Sequence, residues 1–155
     1  MKQIFIQCRE DGSISSNVRY LNFASENLLV TDFVENGGST VQLYPNDNTT
    51  VGNYYMQYLL ANGTAITATR ENNNQIASAG TGKKAFTITK IKITNAGNVV
   101  YQSDIVEAYG ESGLVLFKKY STSTFTVSSI TKLSIKSFNA NAIGIGSRFT
   151  LYKLR

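Results

Sequence analysis

Along most of this chain, apolar and polar residues alternate with a period of two, in short runs separated by Asn, Asp, Gly and Ser. That spacing puts successive side chains on opposite faces of an extended backbone, one face to a core and one to water. It predicts strands over residues 2–8, 18–23, 28–34, 40–44, 65–70, 85–94, 99–102, 114–118, 124–127, 132–138 and 149–154. Residues 54–60 fit a strand or one short helix, and periodicity does not choose between them. Turn chemistry falls between the runs. Glu10-Asp11-Gly12 closes the first strand, Glu35-Asn36-Gly37-Gly38 reads as a hairpin turn, and Asn62-Gly63 and Asn95-Ala96-Gly97-Asn98 read as two more. Residues 72–82, with Asn72-Asn73-Asn74 at one end and Gly80-Thr81-Gly82 at the other, read as one long surface loop.

One run breaks its own pattern. In residues 85–94, Phe86 and Ile88 share one side while Ile91 and Ile93 share the other. A one-residue slip flips every later side chain, so a β-bulge or a crossing between sheets is expected there. The last run follows Gly144 and Gly146, which supply a bend or a positive φ, and Phe149 and Leu151 should point inward.

Many short strands with no amphipathic helices of 10–15 residues between them argue against a parallel α/β fold. The expected architecture is all-β: one domain over residues 1–155, an antiparallel two-sheet sandwich with jelly-roll topology. Length and composition agree. The 155 residues are 42% hydrophobic and 16% charged, with a single proline, Pro45. That is globular usage rather than disordered.

Composition also removes chemistry. The chain has no histidine, which excludes Ser-His-Asp and Cys-His catalysis and the histidine-bearing zinc sites. Cys8, the one cysteine, alternates with Ile4 and Ile6 and reads as a small core residue. Asp32 with Glu35, Asp104 with Glu107, and Glu107 with Glu111 are the carboxylate pairs a glycosidase would need, but a solvated face explains them better. Asp11 and Asp47 sit among polar turn residues without the spacing of a calcium loop. Gly144 and Gly146 lack the Gly-Lys-Ser/Thr and following helix of a phosphate loop. No enzymatic activity, cofactor or metal is expected.

Net charge is +5 and unevenly spread. Residues 1–82 carry four basic and seven acidic residues, net −3, and residues 83–155 carry eleven basic and three acidic, net +8. Lys90 and Lys92 alternate with Ile91 and Ile93, and Lys132 and Lys136 with Leu133 and Ile135. If the two strands are neighbours, these lysines make one basic face for an acidic partner. Nucleic acid is not the expected partner, since no RNA-recognition fingerprint or zinc knuckle is present. Tyr54, Tyr55 and Tyr58 are candidates for an aromatic contact surface. No run reaches the ~20 apolar residues of a membrane helix. Met1-Lys2-Gln3-Ile4 enters a strand without a secretory pattern, so synthesis in a host cytoplasm without a signal peptide is expected.

The segment Lys132-Leu-Ser-Ile-Lys-Ser-Phe138, the Gly144/Gly146 bend and Gly146-Ser-Arg-Phe-Thr-Leu-Tyr152 together resemble the end of small β-sandwich virion structural proteins of tailed bacteriophages. Relatives of that kind often place a glycine after the tyrosine, where this chain has Lys153. The resemblance covers about the last twenty-five residues. It implies a non-enzymatic virion structural protein docked on a repeated capsid or tail lattice; a capsid decoration or auxiliary protein on the head is the expectation favoured here. It further implies a homo-oligomer, with a trimer favoured, docked on the major capsid protein or another virion protein. The alternative is a carbohydrate-binding or receptor-binding module of a phage tail or adhesin, carried by the three tyrosines and the Asn-rich loops.

Overall fold

The computed structural model describes residues 3–7, 17–19, 26–36, 39–80, 82–108, 113–139 and 142–154. Twelve strands follow in order: β1 (Gln3–Gln7), β2 (Asn17–Arg19), β3 (Glu26–Val34), β4 (Ser39–Pro45), β5 (Tyr54–Asn62), β6 (Ala65–Glu71), β7 (Gln75–Ala79), β8 (Lys84–Ile93), β9 (Asn98–Ala108), β10 (Leu114–Thr126), β11 (Lys132–Ser137) and β12 (Arg148–Lys153). A short 3-10 turn, Val51–Asn53, leads into β5. Eight strands form a large sheet in the order β1-β12-β3-β8-β9-β10-β5-β6, and four form a small one, β2-β11-β4-β7. All pairings are antiparallel.

The topology is a jelly roll carrying two inserted hairpins. With β5–β6 and β9–β10 set aside, the remaining eight strands pair first with last and so inward: β1 with β12, β2 with β11, β3 with β8, and β4 with β7. The pairings β12–β3 and β11–β4 then roll this nested hairpin into two sheets. The insertions meet where β10 pairs with β5, so the large sheet runs four strands beyond the roll.

The core lies between the sheets. Leu29, Phe33, Ile91, Tyr101, Ile105, Phe149 and Leu151 of the large sheet face Val41, Leu43, Ile76, Leu133 and Ile135 of the small one. The segment before β12 is held closely to β3. The Gly144 N–H donates to the Val34 carbonyl at 2.6 Å, and a Cβ on Gly144 would stand 2.9 Å from that oxygen. Ser147, fully buried, accepts from the Val34 N–H at 2.9 Å and donates to the Gly144 carbonyl at 2.8 Å. Gly146 has φ +89°, the left-handed region open to glycine.

Several local expectations need correction. Glu35 to Gly38 does not close a hairpin, because β3 and β4 lie in different sheets. The long loop over residues 72–82 contains β7, whose Ile76, Ala77 and Ala79 are buried. The strands expected at 114–118 and 124–127 are one strand, β10. β8 has no bulge. Its pairing is continuous with β3 and β9, and Ala85, Thr87, Thr89 and Ile91 all face inward. Phe86 and Ile88 therefore face out. Cys8, Asp11 and Glu111 lie outside the residues whose side chains are described.

Candidate functional site

The small sheet packs its edge strand β7 against β8 and β9, and among the described residues a second layer covers only that face of the large sheet. Strand register fixes what the other face presents. One row crosses five strands: Phe86 on β8, Val106 on β9, Leu116 on β10, Ala61 on β5 and Ile66 on β6. The next row holds Ile88, Asp104, Lys118 and Leu59. With Leu114, the large apolar side chains of this region are between 39% and 77% exposed. Isolated exposed leucines are ordinary on protein surfaces, whereas a contiguous row of this kind is a candidate contact surface. Residues Ala65 to Ala68 of the edge strand β6 are exposed on both faces.

The charges beside the row are of both signs. Lys118 reaches Asp104 at 3.4 Å, and Lys90 pairs with Glu26. Arg148 lies directly across from Asp32, and Asp32 directly across from Phe86. A depression of about 390 Å³ opens at this end, lined in part by Asp32, Phe86, Val106 and Arg148.

The four lysines do not form one basic face. Lys90 and Lys92 lie on β8 in the large sheet, and Lys132 and Lys136 on β11 in the small one. Lys132 is ion-paired with Asp47, and the Lys136 ammonium sits 6.0 Å from the Tyr44 ring centre. Hydrogen bonds from Lys132 and Ser134 hold the Asp47 carboxyl below its ordinary value.

The three tyrosines separate in the same way. β5 is a strand, so Tyr54 and Tyr58 share one face and Tyr55 takes the other. Tyr54 is buried edge-on between Tyr44 (5.8 Å) and Phe125 (5.6 Å), its hydroxyl donating to the Asn48 carbonyl at 2.7 Å. Tyr58 is half-buried against Phe117, with its hydroxyl 3.3 Å from Glu71 Oε1. Tyr55 alone is exposed, and it is joined by Tyr120, which sequence analysis did not single out. The alternation of Leu114, Leu116 and Tyr120 against Val115 and Phe117 was the available signal.

Two of the carboxylate pairs, Asp32 with Glu35 and Asp104 with Glu107, also fall on opposite sides. Asp32 and Asp104 are exposed while Glu35 and Glu107 are buried, as an i, i+3 spacing in a strand requires. Glu107 Oε1 accepts the Gly80 N–H at 2.6 Å. The most perturbed cation is inside: Lys119 of β10, buried beside Phe117 and Tyr58, donates to Gln75 Oε1 at 3.0 Å. Burial pushes its ammonium down to about 8, against the opposing pull of Glu71 and Glu107.

Among the described residues, no group of three or more His, Cys, Asp and Glu comes together to hold a metal, and no helix is long and apolar enough to cross a membrane. No known protein family, curated protein or solved structure matches the chain.

Proposed function

We propose that this chain is a non-enzymatic structural protein that works by surface contact. The setting that suits it best is the head of a tailed bacteriophage, as a capsid decoration or auxiliary protein. The observation that carries the contact role is the apolar row from Phe86 to Ile66 on the uncovered face of the large sheet. A second copy of the chain is its occupant. Copies with net charge +5 repel at a distance, but the ion-paired, mixed-sign surroundings of the row remove that repulsion at contact. The expected state is a trimer, each copy contributing its row to a shared interface. Repeated contacts per oligomer then give avidity for a repeated lattice such as the major capsid protein. Support for the viral setting comes from the closing segment Gly146 to Tyr152, whose likeness to phage β-sandwich proteins is stated above.

Light scattering on the purified chain and on Leu116→Lys tests the contact role. The expected result is an oligomer for the native chain and a folded monomer for the variant. A native chain that stays monomeric at high concentration overturns it. Mixing the native chain with undecorated phage heads tests the setting, and failure to co-sediment with any particle removes that part alone.

A further inference from the structure

The same outer face carries a second feature away from the apolar row: a groove of about 690 Å³ lined by Tyr55, Gln57, Arg70, Asn72, Tyr120 and Thr122, among others. We infer that this groove binds a saccharide bearing a carboxylate, a uronic or sialic acid unit. This does not depend on the particle setting or on self-association.

Register supplies the geometry. Tyr120 lies directly across from Gln57, which lies directly across from Arg70, and Tyr55 lies across from Thr122. Tyr55 and Tyr120 are therefore diagonal neighbours, roughly 7–8 Å apart along the backbone. Arg70 stands two strands from Tyr120, roughly 10 Å away. As whole residues, the two tyrosines are 50% and 46% exposed. Flat aromatic faces suit the C–H faces of a pyranose, while Gln57, Asn72 and Thr122 offer amide and hydroxyl partners for its hydroxyls.

Arg70 sets the charge. It has no carboxylate partner among the described residues, and its chain neighbour Glu71 turns to the opposite face, toward the Tyr58 hydroxyl. Among the described residues, no acidic side chain lines the groove. A guanidinium fork in such a place matches a carboxylate through two parallel hydrogen bonds. One arginine, with no second cation among the described residues of the lining, fits a single carboxylate better than a run of phosphates.

Saturation-transfer NMR and calorimetry with an oligogalacturonate, with sialyllactose and with their neutral counterparts (the methyl ester and lactose) test the site. Binding of one acidic sugar is expected, with the neutral form at least about tenfold weaker, the factor a lost charge-assisted hydrogen bond represents. Which acid binds identifies the source. Arg70→Gln should remove the preference for the acid, and Tyr120→Ala should remove binding of both forms. Both positions are exposed, and circular dichroism checks that the variants stay folded. No transfer from either sugar at millimolar concentration overturns the inference. Acid binding unchanged in Arg70→Gln, or tighter binding of a thymidine oligonucleotide than of either sugar, overturns it as well.

Discussion

Replacing Lys119 with methionine should abolish the rise in stability that the native chain shows above pH 7. Lys119 lies on the inner face of β10, directly across from Ser103 on one side and Tyr58 on the other, and is 2% exposed. Its surroundings are two aromatic rings, 5.0 and 5.5 Å from the ammonium, and the Gln75 carbonyl. Burial outweighs Glu71 and Glu107 and lowers its proton affinity to about 8, against an ordinary 10.5. Between those values the unfolded chain holds a proton that the folded chain has released, so stability rises with pH through the window. Below pH 8 the folded chain carries the full penalty of a buried ammonium. The gap corresponds to about 3 kcal/mol, of which roughly 2–3 kcal/mol is recovered between pH 7 and 10.

The tyrosines act in the opposite sense above that range. Burial raises the hydroxyls of Tyr44, Tyr54 and Tyr101 above 10, so the unfolded chain releases protons first and stability falls as pH climbs past 10. The native curve should therefore peak near pH 10. In Lys119→Met the fall caused by the tyrosines remains and the rise caused by the lysine is lost. Urea denaturation followed by far-UV circular dichroism, at one protein concentration and at pH 7, 8, 9 and 10, separates the two. At pH 7 the variant should be as stable as the native chain or more so, because the lost ammonium offsets the unpaired Gln75 carbonyl. Native and variant curves that run parallel from pH 7 to 10 would refute the reasoning, since Lys119 would then be charged in the fold throughout.

Phe149→Ala removes a side chain 1% exposed in the centre of the core and should cost about 3–5 kcal/mol in urea denaturation. Ser147→Ala strips the Val34 N–H and the Gly144 carbonyl of a buried partner and should cost about 1–3 kcal/mol, measured the same way. Gly144→Ala forces a Cβ against the Val34 carbonyl oxygen, so its melting temperature should fall, whereas an alanine at the open Gly52 should leave it unchanged. Leu116→Lys should lower the mass seen by light scattering, while at dilution where both chains are monomeric its stability stays within about 0.5 kcal/mol of the native value, because the side chain touches solvent in the isolated chain.

The two-sheet architecture was legible because most strands bury one face, and period-two alternation survives wherever that is so. Leu133 and Ile135 on β11, and Phe149 and Leu151 on β12, sit inward as their spacing requires. The failures share a cause: tertiary partners override local signals. Glu35-Asn36-Gly37-Gly38 carries hairpin chemistry, yet β3 finds β8 and β12 while β4 finds β7 and β11. β7 is short, with three small residues in its five, and lies between Asn72-Asn73-Asn74 and Gly80 in the sequence. Its inward placement depends on contacts such as the Asn74 amide donating to the Leu43 carbonyl, which no local pattern shows. The polar stretch Lys119 to Thr124 suggested a break, but Lys119, Ser121 and Ser123 are buried inside one continuous strand.

The candidate site was less legible, and for a sharper reason. Tyr54, Tyr55 and Tyr58 cluster only if residues 54–60 are helical, where positions i and i+4 share a face. Once β5 is a strand, Tyr55 belongs instead with Tyr120, a neighbour across the sheet that only register reveals. The parity conflict in β8 is the more instructive case. Phe86, Ile88 and Ile91 cannot all face one core along an unbroken strand, and a bulge was one way to reconcile them. The strand keeps its alternation and leaves Phe86 and Ile88 on the uncovered side. An apolar residue on each face of a strand means either that both faces are covered within the fold or that one is to be covered by something else. Among the described residues, β7 and its sheet cover only the inner face, so the conflict in the pattern is the trace of an apolar outer face, the one proposed as a contact surface, rather than of a distortion.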